Sequence, residues 1–321
     1  MLNIRFSIII TCYNQLDFIQ DAIDSALAQK HSSKEIIVVD DASNDGSHER
    51  LQQYGPSIHL LRSLSNVGAP EARNRGAARA AGEYLVFLDG DDLLQPWALD
   101  VYDTIILQRK AKIIAARQMY FRGALKTSQN AEKPRAAQFV EYKNFVSKDR
   151  PVGLSASTLV IDRNAFWNAG GWSQGIFHMD CVDLVTKLGC LGPLVLMCTP
   201  YTVLYRLHAG NSIHNVPPFL QMTRQIIRTE RAGGYGGRQH RLKRYAWLGG
   251  PIVFWIKRAI QAGLYQEALD LLFNGSWMIC LGTVRRAFLW LRKRPMETLS
   301  LGEGANTVCK RADEPTEGVV G

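Results

Sequence analysis

Asp89 and Asp91 stand two residues apart, separated by Gly90, directly after the apolar run Tyr84, Leu85, Val86, Phe87, Leu88. Side chains at i and i+2 of a strand end project to the same side, so both carboxylates can face one bound cation. A hard divalent ion, Mn²⁺ or Mg²⁺, held by one or two carboxylates keeps coordination positions for phosphate oxygens. That is the arrangement needed to hold a nucleoside diphosphate and ease its departure. Alone, Asp-x-Asp is a weak signal, because carboxylates at strand ends are commonly solvated loop residues. Its neighbours give it weight.

The elements that must position this pair can be read upstream. A short apolar strand, Phe6 to Ile10, feeds the polar turn TCYN and an amphipathic helix, and EIIVVDDASNDGS reads as a second strand ending in Asp40 and Asp41. A third strand candidate, Ile58 to Leu61, precedes the loop SNVGAPEARNRG, a helix through Ala80 and the strand before Asp89. Strands alternating with helices predict an α/β fold whose mainly parallel sheet is flanked by helices and carries its site at the carboxyl ends of the strands. TCYN, DDASNDG and DGDD all follow strands.

Four segments occur in order: SIIITCYN, IIVVDDASNDGS, NVGAPEARNRGAARAAGEYLVFLDGDD, and GGW followed by an acidic helix start. On these the chain resembles the inverting family 2 glycosyltransferases of the GT-A fold, over about two thirds of its length, from Phe6 to near His214. The resemblance implies that the first two strand ends, with Thr11, Tyr13, Asp40 and Asp41, hold the nucleoside of a UDP-sugar donor. It implies that Asp89 and Asp91 hold the metal and the diphosphate. Tyr13 can lay its ring on a flat base, and Asp41 matches a family Asp that accepts the imino hydrogen of uracil. The plainer alternatives are a half-buried loop aromatic for Tyr13 and an Asx turn for Asp40. Asp45, in an Asn-Asp-Gly turn, reads as structural. Arg73 and Arg75 open a helix in a loop that the family places near the donor, where a guanidinium can pair with diphosphate oxygens unless it is simply solvated. Asn74 between them reads as a helix-face residue.

Inverting sugar transfer needs a carboxylate that removes the acceptor hydroxyl's proton as the oxygen attacks the anomeric carbon opposite the diphosphate. Family members commonly carry Glu-Asp-x-Asp-Leu, with the second residue as base; here the segment is Asp180, Cys181, Val182, Asp183, Leu184. Cys181 therefore stands at the family's base position, and a thiol is poorly suited to that task. Three readings follow: Asp180 has taken over as base, Asp183 serves, or the protein is an impaired, nucleotide-sugar-binding scaffold. Structurally, Asp180 would N-cap a helix from Cys181 to Leu188 and Asp183 would favour its dipole.

The stretch between, with a strand Ser157 to Ile161 and a helix Arg163 to Asn168, resembles the family's acceptor side. Trp172, after two glycines, would border the sugar pocket or plug the core. YRLHAGNSIHN resembles the closing segment, where His208 would complete the metal shell or meet phosphate.

The 321 residues, 46% hydrophobic, allow one large domain and an appendage. Six cysteines, at 12, 181, 190, 198, 280 and 309, form no zinc or disulfide spacing and fit a reducing compartment. No leader precedes the first strand, so a cytoplasmic protein is expected. Residues 1–218, the expected catalytic domain, hold 22 Lys and Arg against 21 Asp and Glu, whereas residues 219–298 hold 14 against 4. This second segment, with a helix from Pro218 to Arg231 and Trp, Phe and Leu interleaved with basic residues, has apolar runs shorter than the roughly 20 residues a bilayer crossing takes. It reads as basic amphipathic helices lying on the anionic inner face of a membrane, bringing the site to a glycan or lipid-linked acceptor, or as a helical subdomain packed on the catalytic core. Residues 299–321 read as a disordered tail. A nucleic-acid-binding module is excluded by the neutral first 218 residues and by the lack of any nucleic-acid motif. A nucleotidyltransferase is disfavoured because TCYNQLD is not a glycine-rich phosphate loop. The loop from Arg122 to Arg150, which would choose sugar and acceptor, carries no readable signature.

Overall fold

A computed structural model describes residues 6–123, 132–144, 154–189, 191–290 and 296–301. Part of the Arg122 to Arg150 loop, Cys190, Cys309, the side chains of Phe288 and Trp290, and the tail from residue 302 lie outside the described residues.

The first strand, β1 (Phe6–Cys12), is buried along its whole length and rich in isoleucine, as a central strand covered on both faces must be. It is followed by α1 (Ile19–Leu27), β2 (Lys34–Asp40), α2 (Ser47–Gln52), β3 (His59–Arg62), α3 (Ala69–Arg79) and β4 (Tyr84–Asp89). β1 pairs in parallel with β2 on one side and β4 on the other, and β3 continues the sheet beyond β2. After β5 (Leu93–Leu94) and α4 (Ala98–Arg109) come β6 (Ile113–Ala115), β7 (Gln118–Phe121), β8 (Ala136–Tyr142) and β9 (Leu159–Asp162). Then follow α5 (Arg163–Asn168), α6 (Asp180–Leu188), β10 (Leu194–Thr199) and β11 (Val203–Arg206). The last described elements are α7 (Val216–Arg231), α8 (Arg241–Gln261), α9 (Tyr265–Trp290) and β12 (Glu297–Ser300).

Among the described residues, nine strands form one sheet in the order β12-β8-β10-β6-β9-β4-β1-β2-β3. The pairings run β9 and β8 against the rest, so the sheet is mainly parallel in strand direction, as expected. A second sheet, β5-β11-β7, stands at the carboxyl end of β4 and carries the chain from the DGDD turn towards His208.

Alternate residues of β1 serve two cores: Ile8 and Ile10 pack with α1 and α4, whereas Ile9 packs with α3 and the later helices. That second core continues without a break through Phe219, Ile226, Trp247, Ile252 and Trp255. The C-terminal helices are thus fused to the catalytic half by an apolar interior. Phe219 of α7 stacks on Trp255 of α8 at 4.1 Å, and the buried Arg244 of α8 donates to Glu230 of α7 at 3.0 Å.

Three expectations need correction here. The boundary set between residues 218 and 219 falls inside α7, and the one between 298 and 299 falls inside β12. Leu299, assigned to a disordered tail, is buried in a strand paired with β8, because Leu299 and Leu301 alternate into an apolar cluster. Trp247 and Trp255, expected on a lipid-facing surface, are buried, since they occupy the same helix face as Leu248 and Ile252. Among the described residues no helix is long and apolar enough to cross a membrane.

Candidate active site

The turn after β4 is held from three sides. Ser157 Oγ accepts from the Asp89 backbone N–H at 3.0 Å and donates to Asp92 Oδ2 at 2.6 Å. Arg206, at the end of β11, donates its backbone N–H to Asp92 Oδ1, and its side chain reaches the Asp91 carbonyl at 3.0 Å, the Gly123 carbonyl at 2.7 Å and Asp21 at 2.8 Å. Gly90 is required between the two acids: a Cβ there would lie 2.8 Å from the Thr11 carbonyl oxygen and 2.3 Å from Gln15 Oε1.

Asp91 faces His208, with Nε2 2.9 Å from Oδ2, and the imidazole leans on Phe18 at a ring distance of 4.6 Å. Asp91, in the turn after β4, and His208, beyond β11, are thus brought together. Burial pushes the Asp91 carboxyl up, the charge of Asp89 adds to this, and His208 opposes it. Burial, then Asp91 and Asp89, push Asp92 well above the usual carboxylate range. Three carboxylates thus stand within four residues, and burial first, then their mutual charge, makes Asp91 and Asp92 harder to ionise. Oxygen donors with one imidazole at such a place suit a hard divalent cation. Among the described residues no three His, Cys, Asp or Glu side chains converge to hold an ion by themselves.

Asp89 has a different partner. The buried Arg73 donates from Nη2 to Asp89 Oδ1 at 2.7 Å and from Nη1 to Asp180 Oδ2 at 2.6 Å. Burial works against the Arg73 charge, but Asp89 and Asp180 outweigh it and hold its pKa above the ordinary value. Both Nη groups of Arg73 are engaged with carboxylates, and the residue lines the cleft beside Asp89. Its guanidinium lies 4.8 Å over the Trp172 ring. Of the two readings of Trp172, the structure shows the core plug and corrects the sugar contact: it is 1% exposed and set edge-on to Phe87 at 5.2 Å. Asn74 fastens it there, accepting from the Trp172 N–H at 2.9 Å and donating to its carbonyl at 2.8 Å. Arg75 donates to Ser63 at 2.9 Å.

Asp180 is the first residue of α6, not its cap, and its Oδ1 accepts from the Cys181 N–H at 2.9 Å. Burial, then the Asp180 charge, push the Cys181 thiol well above its usual range, so it is no proton acceptor. Asp183 points elsewhere: it is 2% exposed, accepts from the Tyr235 hydroxyl at 2.7 Å and pairs with Lys187 at 3.3 Å. Its expected role as base is corrected to a structural one, since a helix turns residues 180 and 183 through most of a circuit but not onto one point. His178, with φ of 64°, sits between Asp180 and the Phe219 ring, and burial lowers its pKa.

Beyond the end of β1, Tyr13 is 47% exposed. Thr11 is buried in β1, and its carbonyl accepts from the Gly90 N–H at 3.1 Å. Asp41 is buried and accepts from the Val67 N–H at 3.0 Å and the Gly68 N–H at 2.7 Å, fixing the loop that opens α3. Asp40 is fully buried: it accepts from the Ser43 N–H at 3.0 Å and meets His48 Nδ1 at 2.9 Å, which corrects its nucleotide role to an Asx-type turn anchor. Asp45 accepts from the Leu16 and Ser47 N–H groups and is structural, as read.

A cleft of 1120 Å³ runs between the Arg73, Asp89 and Asp180 cluster and the C-terminal helices; Tyr13, Asp41, Asp91 and His208 are not among its lining residues. Asp89, Arg73, Asp180 and Cys181 line one side, and α8 and α9 line the other. The sequence reading missed Ser157, Asp92, Arg206 and His178. Asp92 could have been found, as a third acid in a turn that must then be neutralised or buried.

The sequence matches the family model described as Glycosyl transferase family 2 over residues 7–169. It is 45% identical over 89 residues to the putative teichuronic acid biosynthesis glycosyltransferase TuaG of Bacillus subtilis, a stretch covering 27% of this chain and 35% of that protein. It is 38% identical over 189 residues to an uncharacterized glycosyltransferase of Haemophilus influenzae, covering 57% of this chain and 61% of the relative. The chain thus spans about a third to somewhat under two thirds of these relatives' lengths. Among solved structures, Staphylococcus aureus TarS 1–349 in complex with UDP-GlcNAc superposes with a TM-score of 0.57 at 14% identity, covering 97% of this chain and 100% of that one. This likeness is one of fold, the GT-A arrangement expected from the motifs.

Proposed function

We propose that this chain, which belongs to glycosyl transferase family 2, moves a sugar with inversion from a UDP-sugar to a hydroxyl of a glycan or lipid-linked acceptor. The observation that carries the reading is the chain of contacts Asp89–Arg73–Asp180 along one wall of the cleft, which joins the diphosphate side of the site to a carboxylate facing the acceptor side. Asp180 takes the acceptor proton. Each of its oxygens accepts one protein hydrogen bond and retains a lone pair for a hydroxyl. Arg73, itself held over Trp172, fixes that carboxylate. Tyr13 offers the nucleoside base a face, as its exposure allows. TarS, with the same fold, was solved with UDP-GlcNAc and with UDP, which supports the donor class.

Asp91 and His208, supported by Asp89, would hold Mn²⁺ or Mg²⁺. When bound, the cation would offset the charge of the leaving diphosphate. Thermal stabilisation by a panel of nucleotide sugars, with and without Mn²⁺ or Mg²⁺, tests the reading. UDP-sugars should stabilise the protein in a metal-dependent way, and Asp91→Asn should lose the metal-dependent part. No stabilisation by any nucleoside diphosphate would refute it.

Cys181 at the family's base position favours a second reading, a catalytically impaired scaffold of the same fold. UDP binding without sugar transfer would select it.

We also infer a peripheral site of action on an anionic membrane. On α9, Leu269, Phe273 and Trp277 follow one another at helical spacing and are exposed by 64%, 82% and 69%. They belong to a segment with 14 basic and 4 acidic residues, the pairing of apolar face and positive charge that suits a headgroup region. Sedimentation with anionic vesicles should be strong for the full chain and weak for Phe273→Ser/Trp277→Ser. Equal sedimentation of both would mean that this face meets protein, not lipid.

A further inference from the structure

The small sheet β5-β11-β7 has two faces, and one of them braces the acid turn. There the Arg206 guanidinium lies 4.7 Å over the Phe121 ring, and Arg206 goes on to hold Asp92 and the Asp91 carbonyl. Residues two apart on a strand share a face, so Gln118 and Tyr120 of β7 stand together on the other face, beside Tyr205 of β11, which is in register with Tyr120. All three line the cleft, as Asp89 does.

This second face is made of groups that the fold leaves unused. Tyr120 and Tyr205 meet edge to face at 5.6 Å, and Tyr120 is 57% exposed. Among the described residues neither phenol hydroxyl has a hydrogen-bond partner. Gln118 accepts from the Ser155 hydroxyl at 2.9 Å through its carbonyl oxygen, and its NH₂ group has no partner among the described residues. Burial first, then the charges of Asp92, Asp89 and Asp91, push the Tyr205 hydroxyl above its ordinary range, so it stays a donor at neutral pH. A pyranose matches such a wall: its C–H face covers an aromatic ring while its oxygens accept from phenol and amide donors. A purely apolar ligand would leave those donors unmet.

We infer that Tyr120, Tyr205 and Gln118 hold the sugar being transferred and select an uncharged pyranose. This deepens the sugar-transfer reading and rests on it for the place of the diphosphate. The selection follows from charge. The Tyr205 hydroxyl lies in the field of Asp92, Asp89 and Asp91, and the diphosphate adds to that field. The basic groups beside this wall are committed, Arg73 to Asp89 and Asp180, and Arg206 to Asp21 and the turn carbonyls. A hexuronate carboxylate placed here would meet like charge, which disfavours it against the same sugar without the carboxylate.

Calorimetry on the full chain, in buffer containing Mg²⁺, compares UDP with UDP-glucose, UDP-galactose, UDP-N-acetylglucosamine and UDP-glucuronate. UDP-glucuronate should bind at least about ten-fold more weakly than the best of the three uncharged sugar nucleotides. Tyr120→Ala removes the exposed ring and should weaken that best ligand by at least about ten-fold, with UDP held within about two-fold. Tyr205→Phe deletes one donor and should weaken it by about five-fold, again sparing UDP. No described residue uses the Tyr205 hydroxyl, so the melting temperature of Tyr205→Phe should match that of the parent, and its lost affinity reports a ligand contact. Unchanged affinity for the best uncharged sugar nucleotide in both variants would overturn the inference, as would UDP-glucuronate binding as tightly as that ligand. Equal weakening of UDP and of the sugar nucleotides would place the tyrosines on the nucleotide and overturn it too. Binding of UDP without binding of any uncharged UDP-sugar would overturn this inference alone. Failure of UDP and of every UDP-sugar to bind would take the UDP-sugar reading down with it.

Discussion

Replacing Asp180 by asparagine separates chemistry from architecture. Asp180 accepts two hydrogen bonds, on Oδ2 from Arg73 at 2.6 Å and on Oδ1 from the Cys181 N–H at 2.9 Å, and its side chain is 13% exposed. Asparagine has one acceptor oxygen, so one of these bonds must be lost. A hydrogen bond involving a charged group contributes about 1.5–3 kcal/mol, and the lower end applies where water can replace part of it. For a protein of this size that lowers the melting temperature by a few degrees, roughly 2–4 °C. Loss of a general base removes about two to four decades of rate, which at about 1.36 kcal/mol per decade is roughly 3–5 kcal/mol of barrier. The two observables therefore differ enough to be told apart. Single-turnover rates with a saturating UDP-sugar should fall by at least about a hundred-fold, while UDP affinity by calorimetry stays within about two-fold. Activity within about three-fold of the parent would refute the assignment, most clearly if Cys181→Asp raised the rate.

Tyr235→Phe removes the hydroxyl that donates to the buried Asp183 and leaves that acceptor one partner short, which should cost roughly 1–3 kcal/mol in urea unfolding with kcat unchanged. A kcat loss at temperatures where the variant is fully folded would return Asp183 to the chemistry. Burial lowers the folded pKa of His178 below the ordinary histidine value of 6.5, so its contribution to stability is present above that value and is lost as the pH falls from there through the folded pKa. His178→Phe should flatten the fall in melting temperature over that window, and an identical profile in both proteins would contradict it.

The alternation of strands and helices and the acids at the ends of β2 and β4 were legible in the sequence, because burial on both faces and turn chemistry leave local marks. Partnerships across the chain leave none. Arg73 and Asp180 lie 107 positions apart, and nothing in either neighbourhood says that a guanidinium bridges that acid to Asp89. Asp40 and Asp41 look alike as a pair of strand-end carboxylates, yet one anchors a turn to His48 and the other clamps the Val67–Gly68 backbone. Trp172 followed the motif for a pocket aromatic. Its burial depends on Asn74, two side-chain bonds away in space and 98 positions away in sequence.

The small strand β12 changes what can be cut from this protein. It lies along β8 with Glu297 opposite Phe139 and Ser300 opposite Ala136, and Arg109 of α4 meets Glu297 at 3.0 Å. Removing everything after α7 would leave the seven residues of β8 with one row of N–H and C=O groups facing solvent, a template for pairing with another chain. Such a truncated protein would pellet by self-association and mimic the loss or gain of a lipid contact. Ordering is affected as well: β8 cannot be completed until three helices have folded back across the sheet, so closure of this edge belongs to the late stage of folding, when loop entropy has already been overcome. The helices and the catalytic sheet are therefore expected to melt in a single transition.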